Sequence, residues 1–252
     1  MKTRYIFSLI ALCTVLSAAP VINGQDGVAR QVAPAAASAP LAITSATTPL
    51  ELARAAFMAQ GGEKFRNLKS MVLIGSVNLY APNSTNSIPG QFVIATQGVK
   101  VRLEVNAPPI ISFKQVFDGQ NSYSSLPNVP ALPPATKFGL PVLAKFDQPG
   151  YTVTALPDLK KQRGFRIADG DGNATDFYIE PATARVITYS TQFNGYTFAT
   201  ENKKMKEVDG ILVAYGFSQR IEMVQGAAFA EYSVKDVKLN QPLGDDVFVI
   251  PN

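Results

Sequence analysis

The sequence predicts a mainly β chain of the α+β kind, with about eleven antiparallel strands and helical segments at the front and in the middle. Three observations predict it. Beyond residue 70 apolar residues recur with a period of two in one segment after another. The segments run about six to thirteen residues each and are bounded by Gly, Pro, Asn or Asp, as in a meander of strands. Helical spacing is strongest over residues 48–70, TPLELARAAFMAQGGEKFRNLKS, where a double glycine splits it into two pieces.

The 252 residues allow one large all-β domain or two small ones, and 46% hydrophobic against 17% charged composition allows a sizeable core. Residues 1–24 read as an export signal. Lys2 and Arg4 precede an apolar run from Tyr5 to Leu16, followed by small residues. Cleavage after Gly24 is preferred, Ala18 is an alternative, and an uncleaved anchor is the rival reading. The one cysteine, Cys13, follows Leu12 inside the apolar run, which does not suit a lipidation site. The mature chain is then expected to lack thiols, disulfides and histidine, which excludes Ser-His-Asp chemistry, Cys nucleophiles and the usual zinc sites. Loss of Lys2 and Arg4 halves the net charge of +4, and KKMK at 203–206 is the one dense basic cluster, so nucleic acid is not an expected partner.

Residues 25–47, rich in Ala, Pro and Ser, predict a flexible arm with too little to bury against the entropy of ordering. The folded domain is expected over residues 48–252. Thr48 and Glu51 fit a capping box, with Pro49 in the first helical position, where a missing N–H costs nothing. Leu50, Ala53, Ala56 and Phe57 are read as the apolar face, Gly61 and Gly62 as the stop, and Phe65 with Leu68 as a second, shorter edge.

Strands follow. MVLIGSVNLY (71–80) sets Met71, Leu73, Gly75, Val77 and Leu79 on one side. GQFVIATQG and KVRLEVN turn at Gly98, the latter with Val101, Leu103 and Val105 inward and Lys100, Arg102 and Glu104 outward, the pattern of a one-sided antiparallel sheet. IISFKQVFDG and NSYSSL come next. Six prolines between Leu126 and Gly150 exclude a central strand there. Within that stretch Leu140, Leu143 and Phe146 share a helical face, so a short lid helix and an extended loop both fit. Seven further strands run from YTVTALPD to AAFAEYSVKDVKLN.

Two chemical motifs are weighed and set aside. Asp169, Asp171, Asn173 and Glu180 match calcium-loop spacing, but Ala174 replaces the turn glycine and the flanks are strands, so a hairpin turn with Gly170, Gly172 and Asn173 at positive φ is preferred. Asp176, Glu180, Glu222 and Glu231 could serve acid–base chemistry, yet no spacing brings two together. The glycosylation triplets at Asn83 and Asn173 are read as coincidental. Phe92, Phe113, Phe117, Phe165, Phe177, Tyr189, Phe193 and Phe198 lie on many different strands, most of them at positions that alternation aims inward, which fits a closed core and a lipid cavity alike.

GGEKFRNLKSMVLIGSV, KVRLEVN, a DG turn before an aromatic strand, FYIEPATARVITYSTQ, KKMKEVDGILVAYGFSQRIEMV and the terminal VKDVKLNQPLGDDVFVIPN together resemble the LolA/LolB-like superfamily of periplasmic lipoprotein carriers and their relatives. The resemblance covers residues 48–252 and is most specific from Glu207 through Gly210 and in the last fifteen residues. It implies an incomplete antiparallel β-barrel of about eleven strands, with helices covering an apolar concave face and shifting to admit acyl chains. Phe57, Leu73, Phe92, Ile94, Leu103, Phe113, Phe117, Leu143, Phe165, Phe177 and Tyr189 would line that cavity. Three features depart from the carrier pattern: the Ala/Pro arm, a short proline-interrupted lid, and Arg102, the nearest match to the carriers' inner-strand arginine, whose alternation points outward.

The expectation is therefore a periplasmic, unlipidated, monomeric carrier without catalysis or cofactor. Its partners would be lipid or lipoprotein acyl chains, with an envelope membrane protein as donor or acceptor. The alternative is a non-catalytic cell-envelope module with a closed core. A carboxylate-dependent hydrolase is the third reading.

Overall fold

The computed structural model describes residues 42–127, 129–224 and 226–251. The export signal (1–24) and the arm up to residue 41 lie outside the described residues. The arm's last residues do not behave as a free tether: Ile43 packs against the core and Arg163 donates to the carbonyls of Ser45 and Thr47.

Helix α1 (Pro49–Gln60) begins as the sequence requires. The Thr48 hydroxyl accepts from the Glu51 amide while the Glu51 carboxylate accepts from the Thr48 amide at 2.8 Å, so two orphan donors of the first turn are satisfied at once. The buried stripe is Leu52, Ala53, Ala56, Phe57 and Gln60; Leu50 is 46% exposed, contrary to expectation. At 3.6 residues per turn that stripe is centred about a quarter turn from Leu50, which leaves Leu50 at its margin. Gly61 (φ 124) and Gly62 (φ 56) end the helix, and a single turn, α2 (Glu63–Arg66), follows.

Among the described residues there are twelve strands, one more than expected: β1 (Ser70–Tyr80), β2 (Ser87–Gln97), β3 (Lys100–Ala107), β4 (Ile111–Phe117), β5 (Ser122–Ser124), β6 (Tyr151–Leu159), β7 (Gln162–Asp169), β8 (Ala174–Ile179), β9 (Val186–Phe193), β10 (Tyr196–Val208), β11 (Ile211–Met223) and β12 (Gly226–Leu239). They form one antiparallel sheet in the order β5-β4-β3-β2-β1-β12-β11-β10-β9-β8-β7-β6. Because β5 and β6 end the sheet and do not pair, it is an incomplete barrel. Hairpins such as Asn194–Gly195 and Asp209–Gly210 hold both central residues at positive φ, the geometry that matches the twist of flanking strands. Register shifts at Ile74/Gly75 and in β10 beside Lys204 add twist and curvature.

Between β5 and β6 the Pro-rich segment crosses the concave side. Ser122 donates to the Leu132 carbonyl, Leu132 packs on the core, and a short helix, α3 (Leu140–Leu143), then lies against α1. Both readings of this stretch hold in part: extended chain first, then a single helical turn.

The concave side holds two apolar clusters. One joins α1 and α3 to Phe165, Ile167, Phe177, Ile179 and Val186. The other joins β1–β3 to β11 and β12. The outer face is less solvated than one-sided alternation implies. Over β1–β5 the chain after β12 returns across it, with Phe248 buried against Ala95 and Val116, and with Val72 packed alongside. Arg102 points outward as its alternation requires, and donates to the Val247 carbonyl at 2.6 Å.

Candidate functional site

The structure places all eleven predicted cavity residues within the interior or partly buried, and divides them. Phe57, Leu143, Phe165 and Phe177 belong to the first cluster, with Tyr189 packed against it. The Phe165 and Phe177 rings stack at 5.2 Å and 15°, and Phe57 meets Phe146 at 5.5 Å. Leu73, Phe92 and Leu103 belong to the second, with Ile94 and Phe113 packed against it. There Phe92 meets Tyr232 edge-on at 4.9 Å, and Tyr232 stacks on Phe217 at 4.6 Å. Phe117 is buried on β4 opposite Val101. Aromatic pairs in these geometries add about 0.5–1.5 kcal/mol beyond area burial.

The larger of two cavities lies elsewhere. A cavity of about 740 Å³ is bounded by the β4–β5 corner (Gln120, Asn121, Ser122), by Pro127, Val129, Pro130, Ala131 and Pro134 of the crossing segment, and by Phe193, Asn194, Tyr196 and Met223 at the ends of β9, β10 and β11. Phe193 shares the inward parity of Tyr189, and Tyr196 lies opposite it in the β9–β10 ladder. None of the eleven predicted residues lines this space. Sequence reasoning missed it because its walls come from a strand-free proline segment meeting strand ends distant in the chain; the one signal was the inward Phe193 beside the Asn194–Gly195 turn.

A second cavity, about 580 Å³, spans β2–β4 and is bordered by Phe92 and Phe113 as well as by Gln91, Glu104, Asn106 and Lys114, which alternate to the opposite face from buried Phe92 and Val105. Glu104 there takes ion pairs from Arg102 and, at 3.3 Å, from Lys114; burial opposes its charge, but the two cations hold the carboxyl below its ordinary range.

Charged groups on the inner side are few. Arg163 shares the inward parity of Phe165 and Ile167; its Nε pairs with Asp158 at 3.0 Å, Nη2 reaches the backbone ahead of α1, and Nη1 is buried without a hydrogen bond. This arginine, not Arg102, occupies the inner face. Burial raises the phenols of Tyr189 and Tyr232, so both stay neutral near pH 7.

The motifs set aside have structural roles. Asp169 accepts from the amides of Asp171 and Asn173 at 3.0 and 2.8 Å, closing a β7–β8 hairpin turn in which Gly172 has positive φ while Gly170 and Asn173 do not. The four acids considered for catalysis stand apart: Asp176 pairs with Arg166, Glu180 accepts from Thr183, Glu222 pairs with Arg220 and Glu231 with Lys203. Among the described residues no His/Cys/Asp/Glu cluster suits a metal, and no helix is long and apolar enough to cross a membrane.

No protein-family model matches the sequence, and no curated protein matches it. Solved structures do. A LolA-superfamily protein from Nitrosomonas europaea aligns with a TM-score of 0.51 at 12% identity, over 81% of this chain and 99% of that one. A putative outer membrane lipoprotein-sorting protein domain from Vibrio parahaemolyticus gives 0.47 at 12% identity, over 79% and 95%. A DUF1329 family protein from Desulfovibrio piger gives 0.45 at 9%, over 81% and 98%. The first of these shows that the chain has a LolA-like fold.

Proposed function

We propose that the protein is a periplasmic carrier that holds the acyl chain of a lipid or lipoprotein on the concave side of its unclosed sheet, without catalysis. The observation that carries this reading is the pairing of an open apolar sheet with a cavity of about 740 Å³ left beneath the crossing proline segment, within the roughly 300–1,000 Å³ range of small-ligand sites. The LolA-like fold supports it. The chain ends enter between the proline segment and the β9–β10 turn, and displacement of that segment extends the site toward Phe113, Phe117 and the other inward residues. Each methylene removed from water contributes about 0.8 kcal/mol, so a modest depth of insertion offsets the cost of moving a short segment. An envelope membrane protein would load or receive the ligand.

A second reading has its own observation. Phe92, Phe165 and Phe177 are at most 1% exposed, which suits a non-catalytic envelope module whose core is closed. Mass spectrometry of organic extracts from the purified protein, followed by titration of the delipidated chain with a fluorescent acyl probe, separates the two. The carrier reading expects a stoichiometric co-purified lipid and saturable binding. A clean extract together with non-saturable probe uptake leaves the closed module.

A further inference from the structure

The 740 Å³ cavity has an electrostatic property that its shape does not reveal. Its lining combines apolar groups, Val129, Phe193, Tyr196 and Met223 among them, with the neutral hydrogen-bonding side chains Gln120, Asn121 and Asn194, and among the described residues none that lines it is Asp, Glu, Lys or Arg. The cavity over β2–β4 differs, since Glu104 and Lys114 border it.

The cavity is open to solvent on one side, so a carboxylate, phosphate or ammonium seated against this lining gives up part of its water and gains no opposite charge there, and an uncompensated ion is the costliest group to desolvate. Amides and hydroxyls, by contrast, can replace the hydrogen bonds that an alcohol, ester or amide loses on leaving water. The rings and prolines take the hydrocarbon beside it. Phe193 and Tyr196 face each other across the β9–β10 ladder, so the apolar wall is held by strand backbone.

We infer that the ligand of this cavity is an uncharged amphiphile: one hydrocarbon chain carrying a neutral hydroxyl, ester or amide head, in preference to a free fatty acid, a phospholipid or a cationic lipid. The inference rests on the carrier reading above and narrows it. Selectivity comes from the cost of stranding a charge, not from an attractive contact to one head group.

The test holds the hydrocarbon constant. The delipidated full chain is loaded with a fluorescent monoacylglycerol probe, and displacement is measured with monopalmitoylglycerol, palmitate and hexadecyltrimethylammonium below their micelle thresholds, at about pH 8, where the carboxyl is ionised. The neutral lipid is expected to bind at least tenfold tighter than either ion. Met223→Lys is expected to shift the order toward palmitate, whereas Glu104→Gln, in the other cavity, leaves it unchanged; circular dichroism establishes that each variant is folded. Palmitate binding as tightly as the neutral lipid overturns the inference while leaving the carrier reading intact, and a Glu104→Gln variant with altered order moves the site to the other cavity and overturns it too. Absence of binding by all three lipids removes both.

Discussion

On the β6–β9 side of the sheet the inward residues bury against helices, with Phe165 and Phe177 meeting Leu52, Phe57, Leu143 and Phe146 from α1 and α3. On the β1–β3 and β11–β12 side they bury largely against one another, Phe92, Phe217 and Tyr232 forming an aromatic knot with Phe65, Leu68 and Leu132 packed at its margin. One half is a two-layer structure and the other fills its own curvature. The larger cavity, at the β4–β5 corner, is lined by none of these buried residues.

The strongest probe of this contrast is ring removal on each side. Phe177→Ala and Phe92→Ala should each lose about 3–5 kcal/mol in urea denaturation, because both rings are fully enclosed and leave a void. If α1 is free to settle into the void, Phe177→Ala costs distinctly less than Phe92→Ala; equal costs mean that the helix layer is as rigid as the sheet. Next in size is Gly61→Ala. A Cβ there would stand 2.7 Å from the Gly210 carbonyl oxygen, at a φ of 124 that side chains rarely adopt, so a loss of about 1–3 kcal/mol is expected. Hydrogen exchange should show α1 opening ahead of β7 and β8 in that variant, and simultaneous exchange would remove the two-layer description. Thr48→Ala, which deletes half of the capping box, should cost about 1 kcal/mol and act on the helix-covered side alone.

The smallest effect is electrostatic and belongs to the other side. The hydrogen bond from Lys203 holds the Glu231 carboxyl below its ordinary value of 4.5. A depressed folded-state pKa stabilises fully above the unfolded value and loses that contribution as pH falls through the folded one. Lys203→Met should therefore lower Tm slightly at pH above 4.5 and converge with the parent chain well below it, flattening the acid limb, with the small size expected of an exposed pair.

Features that depend on neighbours in sequence were legible. Thr48 with Glu51 announced the start of α1, period-two alternation announced the strands, and the DG pair at 118–119 announced the turn between β4 and β5. Reading Arg102 as outward was correct for the same reason: alternation is local. What escaped depends on distant chain. Leu50 takes its exposure from where the sheet lies and not from its own spacing. The inward position of Arg163 matters only because residues 45–47 return beside it. The cavity walls join residues 120–134 to residues 193–223, and nothing in either stretch names the other. The resemblance to the lipoprotein carriers supplied the open sheet, but alternation could not say which inward residues are enclosed and which border free volume.

The pairing of β1 with β12 ties Met71 to Leu239 and makes the sheet's central seam its least local contact. Such a seam cannot zip until nearly the whole polypeptide has been made, and closing so large a loop comes late and slowly. A nascent chain lacking its final strand would have the two wings without the stitch that unites them.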